Sequence, residues 1–325
     1  MKKLSTYFSN LRVVKRTVSK SKKLILPGFE GIPLYDVMAF FFKEIQKGQL
    51  NDRAGSISFF FLLALPPTCI FLFTLLPYIP LENLEFTLYT LVRDLTPNQN
   101  TYRIVRGVIY DFLHTQRTGL LSFSFLLAIF YSSTAVLGIL RSFYKQHPSF
   151  RKRNFLQLRW IAIKLNCLLI LLLITTVCLM VAERALLRGL LAPLHLDHPT
   201  LRFLIGAVRW VIIVLMFFTV ISLIYTLGPS MNRRWKFVSA GSSMATFLMI
   251  LTTVGFSYYV THFSSYNRIY GSIGSILVLM VWIYINSFVL LIGFELNASI
   301  NMIRQEAEAR QEKELLSEED IQGLS

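Results

Sequence analysis

Chemistry in this chain would have to come from five histidines, the few acids near them, and polar residues set inside apolar runs. The histidines are His114, His147, His195, His198 and His262. Only His195, Asp197 and His198 cluster, in a short stretch between Pro193 and Pro199. An i, i+3 pair can share a metal, but ligands drawn from one loop make an exposed and weak site, and a solvated turn is the plainer account. A metal-dependent nuclease needs several His and Asp converging on one or two ions. No Ser-His-Asp spacing, P-loop or Gly-rich nucleotide loop occurs. The sequence therefore assigns no catalytic residue, no metal ligand and no cofactor.

The polar residues within apolar runs carry more information. Pro66 and Pro67 stand together near the middle of a long apolar segment. Each removes a backbone donor and opposes the carbonyl four residues back, at Leu62 and Leu63, so the pair predicts a broken helix. Broken helices line substrate sites in transporters, whereas a buried structural kink is the plainer alternative. Lys164 and Glu295 fall near the same ends of their segments, and Arg209 and Glu183 near the opposite ends. Each pair is a candidate bridge between helices, with Lys164 the first candidate partner of Glu295, and each long side chain can instead reach its own interface. Glu295 is a candidate for proton coupling as well as for a structural ion pair. Asn286, between Ile285 and Ser287, is expected to find an interhelical partner or a polar ligand.

The elements that position these residues are membrane helices. Of 325 residues, 54% are hydrophobic and 16% charged, with mean hydropathy +0.53, too apolar for an ordinary soluble domain. Six segments are long enough to span: about 56–80, 119–140, 161–182, 203–227, 237–261 and 271–295. The net charge of +15 is distributed by segment. Residues 1–55 hold eleven Lys and Arg; 141–160 holds six with no acid, and 228–236 holds Arg233, Arg234 and Lys236. The intervening links 81–118, 183–202 and 262–270 are poor in net positive charge. This alternation places both termini in the cytoplasm. The basic segments Arg151-Lys152-Arg153 and the N-terminal series read as topology determinants that touch anionic headgroups of the bilayer. Nucleic acid is not expected as a partner, because the residues before Trp160 offer only Phe150 and Phe155 for stacking.

Three regions result: a basic N-terminal segment 1–33, a six-span domain 34–302 and an acidic tail 303–325. The N-terminal segment lacks the apolar run of a signal peptide, since Leu24-Ile25-Leu26 meets Pro27. Leu34, Val37, Met38, Phe41 and Ile45 share one helical face, which predicts an amphipathic helix at the interface. Residues 81–95 and 104–113 repeat the pattern and predict two more on the outer side. Cys69, Cys167 and Cys178 all fall in spans, which implies no disulfide and suggests small buried hydrophobes.

The last third, from Gly255 to Ile300, resembles the BrkB family of bacterial inner-membrane proteins, also known as ribonuclease BN-like. The motif residues are Asn267, Tyr270 and Gly271, then Gly274 opening the sixth span, then Gly293, Glu295 and Asn297 closing it. Arg53-Ala54 leading into Ser58-Phe59-Phe60 and Pro66-Pro67 is similar to the family's first span, and Ser132-Ser133 through Tyr144 to its second. The resemblance implies an all-α polytopic bundle of six spans in the bacterial inner membrane. The expected function is transport or translocation of an amphiphilic anion such as an envelope lipid or precursor. The alternatives are a non-enzymatic envelope scaffold, possible as a homo-oligomer, and the family's ribonuclease label, which no constellation here supports.

Overall fold

The computed structural model describes residues 29, 31–47, 49–75, 89, 99–115, 118–144, 150, 153–186, 199–231, 235–262 and 272–322. They form eight helices: α1 (Leu34–Lys47), α2 (Leu50–Leu75), α3 (Gln99–His114), α4 (Thr118–Ser142), α5 (Phe155–Leu186), α6 (Pro199–Leu227), α7 (Ala240–His262) and α8 (Ser272–Gln322). All except α1 and α3 are long and apolar enough to cross a membrane, as the composition required.

The six long helices close a ring in chain order. α2 packs on α4, α4 on α5, α5 on α6, α6 on α7, α7 on α8, and α8 returns to α2. One end of the ring carries Arg53, Arg141 and Arg153 and is called the basic end below. It is stoppered by aromatic rings: Phe143 stacks on Phe294 with centroids 4.3 Å apart. Trp235 and Phe150 pack on Phe294 as well, and Tyr225 packs on Phe143 and Trp235. Phe150 also pairs with Met231, which follows α6, in an isolated antiparallel bridge.

The middle of α8 is the most enclosed stretch at the basic end. From Val289 to Met302 it is buried on nearly every side, as expected of a helix enclosed by others. α1 lays Val37 and Phe41 against Leu296 and Ile300 of α8, with Leu34, Met38 and Ile45 around them. The predicted face is therefore present, but protein covers it: α8 and the start of α7. α3 is the described member of the two predicted outer helices; 81–95, apart from Tyr89, lies outside the described residues. α8 continues through the acidic tail to Gln322, with an Arg304–Glu308 pair at 2.7 Å on its surface.

Two expectations are corrected. α2 runs unbroken through Pro66 and Pro67. The proline φ near −65° is helical, so only two hydrogen bonds are lost. α4 braces the helix on either side of them: Phe60 lies against Gly138, and Thr74 bonds Ser124 at 3.2 Å. Cys69 and Cys167 are exposed on the outside of the bundle, where a small apolar side chain suits a hydrocarbon surround. The side chain of Cys178 is outside the described set.

Candidate functional site

The stretch Gly293-x-Glu295-x-Asn297 fastens three helices at the basic end. Gly293 crosses Gly241 of α7 so closely that a Cβ on Gly241 would lie 2.6 Å from Asn297 Cγ and collide with the Gly293 carbonyl. A Cβ on Gly293 would strike Ala245 and the Tyr225 hydroxyl. Glycine is required here for lack of room, not for its φ. At this crossing α7 begins, and its first amides need acceptors. Ser239 is its N-cap: Ser239 Oγ accepts from Ser242 N at 3.2 Å while Ser242 Oγ accepts from Ser239 N at 3.0 Å, a reciprocal capping box. Asn297 supplies a further acceptor from α8. Its Oδ1 accepts from Gly241 N at 2.7 Å, and its Nδ2 donates to Ser239 Oγ at 2.8 Å.

Glu295 points the other way, into the α2–α4–α8 junction. It is fully buried, and its Oε1 accepts from Arg53 Nη1 at 2.7 Å. The same guanidinium donates to the Ser142 carbonyl at the end of α4 and lies over the Phe294 ring, 5.8 Å from its centroid. Arg53 thus ties three helices, and its charge meets the negative end of α4. The sequence named Lys164 as the first candidate. That is corrected: Lys164 is exposed on the outside of α5, with no ion pair among the described residues. Depth counting cannot rank partners 242 residues apart, because azimuth around the ring decides which cation faces the carboxylate.

The other named residues separate. Asn286 donates to the Trp282 carbonyl of its own helix at 2.8 Å, and among the described residues its side chain makes no interhelical bond, contrary to expectation. Pro66 is exposed and Pro67 half-buried, and neither is among the lining residues of the two cavities described below. Arg209 lies in α6 and Glu183 in α5, their side chains outside the described set; Gly274 lies in α8 near its start. Asn267, Tyr270 and Gly271 lie outside the described residues, as do His147, His195, Asp197 and His198. Among the described residues no three His, Cys, Asp or Glu side chains gather where a metal would bind.

Above the aromatic stopper, a cavity of about 620 Å³ lies between α2, α4, α5 and α6. Its wall is almost wholly apolar, from Ala64 and Leu65 on α2 to Met216 and Val220 on α6. Phe61, Leu173 and Phe217 on its rim are exposed, so it opens sideways between helices. Its polar groups are Thr68, which bonds Ala64 in its own helix, and Asn166, whose Nδ2 donates to Ser132 Oγ at 3.0 Å. A second pocket of about 240 Å³ lies at the basic end of the same α4–α5–α6 seam, lined by Arg141, Tyr144, Arg153, Gly228 and Ser230 among others. Sequence reasoning missed Asn166 and the arginines as site residues. Arg141 and Arg153 were visible only as topology charges, and Asn166 only as one asparagine in an apolar run.

Six helices long and apolar enough to span, four of them around a side-opening apolar cavity, define a polytopic α-helical membrane protein. Residues 41–317 match the family model described as virulence factor BrkB, and the chain belongs to that family. It is similar to the ribonuclease-like protein YfkH of Bacillus subtilis, 29% identical over 258 residues, covering 79% of this chain and 91% of the relative. Shorter matches reach UPF0761 membrane proteins. That of Tolumonas auensis is 36% identical over 80 residues, 25% of this chain and 26% of the relative; that of Pseudoalteromonas translucida is 42% identical over 79, 24% and 26%. No solved structure matches.

Proposed function

We propose that this protein binds an amphiphilic anion, an envelope lipid or its precursor, and moves it within or across the bacterial inner membrane, with both termini cytoplasmic. The observation that carries the reading is the side-opening apolar cavity between α2, α4, α5 and α6. A wall this apolar suits an acyl chain and not a water-soluble solute, and an opening between helices admits a ligand from the bilayer. The cavity is lined by no basic side chain. It is apolar beside Leu65 and Thr68, and the basic groups lie at the end of the seam.

A second reading, an envelope scaffold, draws on a specific observation: the polar residues of the Gly293–Asn297 stretch are occupied in joining helices. Cavity filling separates the two. Ala135→Phe together with Ser132→Leu should fill the wall without touching the Arg53–Glu295 junction. Native mass spectrometry of the purified protein should then show specifically retained lipid in the parent and its loss in the variant. Equal retention in both, or none in the parent above the detergent background, removes the transport reading.

A further inference from the structure

Arg141 closes α4 and Arg159 stands near the start of α5, in a stretch of sequence poor in acids. Between Asp111 and Glu295 the sequence holds only two acids, Glu183 and Asp197. Glu183 lies in the last turn of α5, remote from its basic start, and Asp197 in the link beyond it. Glu295 is engaged by Arg53. Neither Arg141 nor Arg159 has a carboxylate in reach among the described residues.

Arg153, Arg141 and Arg159 stand along the α4–α5–α6 seam. Arg153 donates to the Gly228 carbonyl at 2.9 Å and the Pro229 carbonyl at 3.2 Å, which fixes its plane at the end of α6 in the wall of the smaller pocket. Arg141 lines the same pocket, 5.8 Å from the Phe155 ring centroid. Arg159 reaches away from the basic end. The Asn166–Ser132 bond sets the register of α5 on α4, and by it Arg159 stands level with Ile139. Yet its Nη1 donates to Thr134 Oγ1 at 2.8 Å and its Nη2 to the Phe130 carbonyl at 3.2 Å, over the Phe130 ring at 4.5 Å. Thr134 is five residues from that level, roughly 7 Å further into the membrane by helix rise. A long cationic side chain in a span ordinarily reaches toward water. This one is held inward, on an exposed face of the bundle.

We infer that Arg141 and Arg153 bind the phosphate of an anionic lipid, and that Arg159 continues the site inward along the α4–α5 seam. Neither Arg141 nor Arg159 is neutralised by a carboxylate among the described residues, so their charge remains for an anion, and the guanidinium fork suits phosphate oxygens. The larger cavity starts within a turn of the pocket on two helices: Ile139 adjoins Leu140, and Ile224 is one turn from Gly228. A head in the pocket therefore has an apolar space beside it for a chain. The inference rests on the lipid reading above and adds the headgroup class and the residues that read it.

The test uses delipidated full-length protein offered an equimolar mixture of phosphatidic acid, phosphatidylcholine and diacylglycerol in detergent, with bound species weighed by native mass spectrometry. The parent should favour phosphatidic acid over phosphatidylcholine by about tenfold or more, as two to three basic groups near an anionic lipid predict. Arg141→Gln with Arg159→Gln should abolish that preference while diacylglycerol uptake stays unchanged. Arg141→Lys with Arg159→Lys should restore most of it, which a merely structural role would not do. An unchanged preference in the Gln variant overturns the inference. So does displacement of the lipid by millimolar inorganic phosphate with no dependence on the chains, which would make this a free-phosphate site. Absence of diacylglycerol uptake in every form counts against the cavity reading instead, so the two failures are distinct.

Discussion

The Arg53–Glu295 junction makes an asymmetric prediction. Glu295 is completely enclosed, whereas the Arg53 side chain keeps 19% of its surface exposed. Replacing Arg53 by Gln leaves a carboxylate in a dry site without its cation and removes the donor to the Ser142 carbonyl. Stranding one member of a buried pair costs about 3–5 kcal/mol, and the high end of that range applies to Arg53→Gln. Glu295→Gln keeps an acceptor oxygen of the same shape opposite Arg53, which retains Ser142, the Phe294 ring and some water. Its cost should be smaller, about 1–3 kcal/mol. The double variant strands no charge, so it should cost less than the two singles together, by about 2 kcal/mol or more. The assay is reversible unfolding in mixed micelles for all four members of the cycle, with Lys164→Gln as a fifth. Strictly additive single costs, Glu295→Gln costing more than Arg53→Gln, or a Lys164→Gln loss equal to that of Arg53→Gln would refute the reasoning.

Gly241→Ala and Gly293→Ala should each destabilise by about 1–3 kcal/mol in the same assay, since both added methyls meet α7 or α8 backbone; Gly255→Ala, whose added Cβ meets nothing within 4 Å, should not. Replacing Pro66 and Pro67 together by Ala should raise stability, because each proline costs about 3 kcal/mol in a helix interior and α2 is already continuous. Retained lipid should be unchanged in that variant, as neither proline lines the cavity; loss of lipid would restore a gating role for the pair. In a background free of Cys69, Cys167 and Cys178, an impermeant thiol reagent applied to intact cells should label Gln99→Cys and spare Ser149→Cys. The reverse pattern would invert the topology.

By itself the sequence determined the number of helices that can span, the amphipathic face of α1 and the absence of acids along α4 and most of α5. These are local properties: apolar length, a 3.6-residue period and composition require no knowledge of neighbours. The helical continuity of α2 lay beyond it, because proline's local penalty is visible in the residues and the bracing by α4 is not. Glu295 could be recognised as a residue in need of a cation, but choosing Arg53 over Lys164 takes the closure of the ring from α8 back to α2. Asn297 was legible as a motif residue closing the sixth span, yet its work as a cap on α7 depends on two glycines crossing 52 positions apart in the chain. Arg159 was counted with the basic link, and only the register of α5 on α4 turns it inward. Burial and pairing are set by azimuth and register between helices, and in this chain those were decided by tertiary packing.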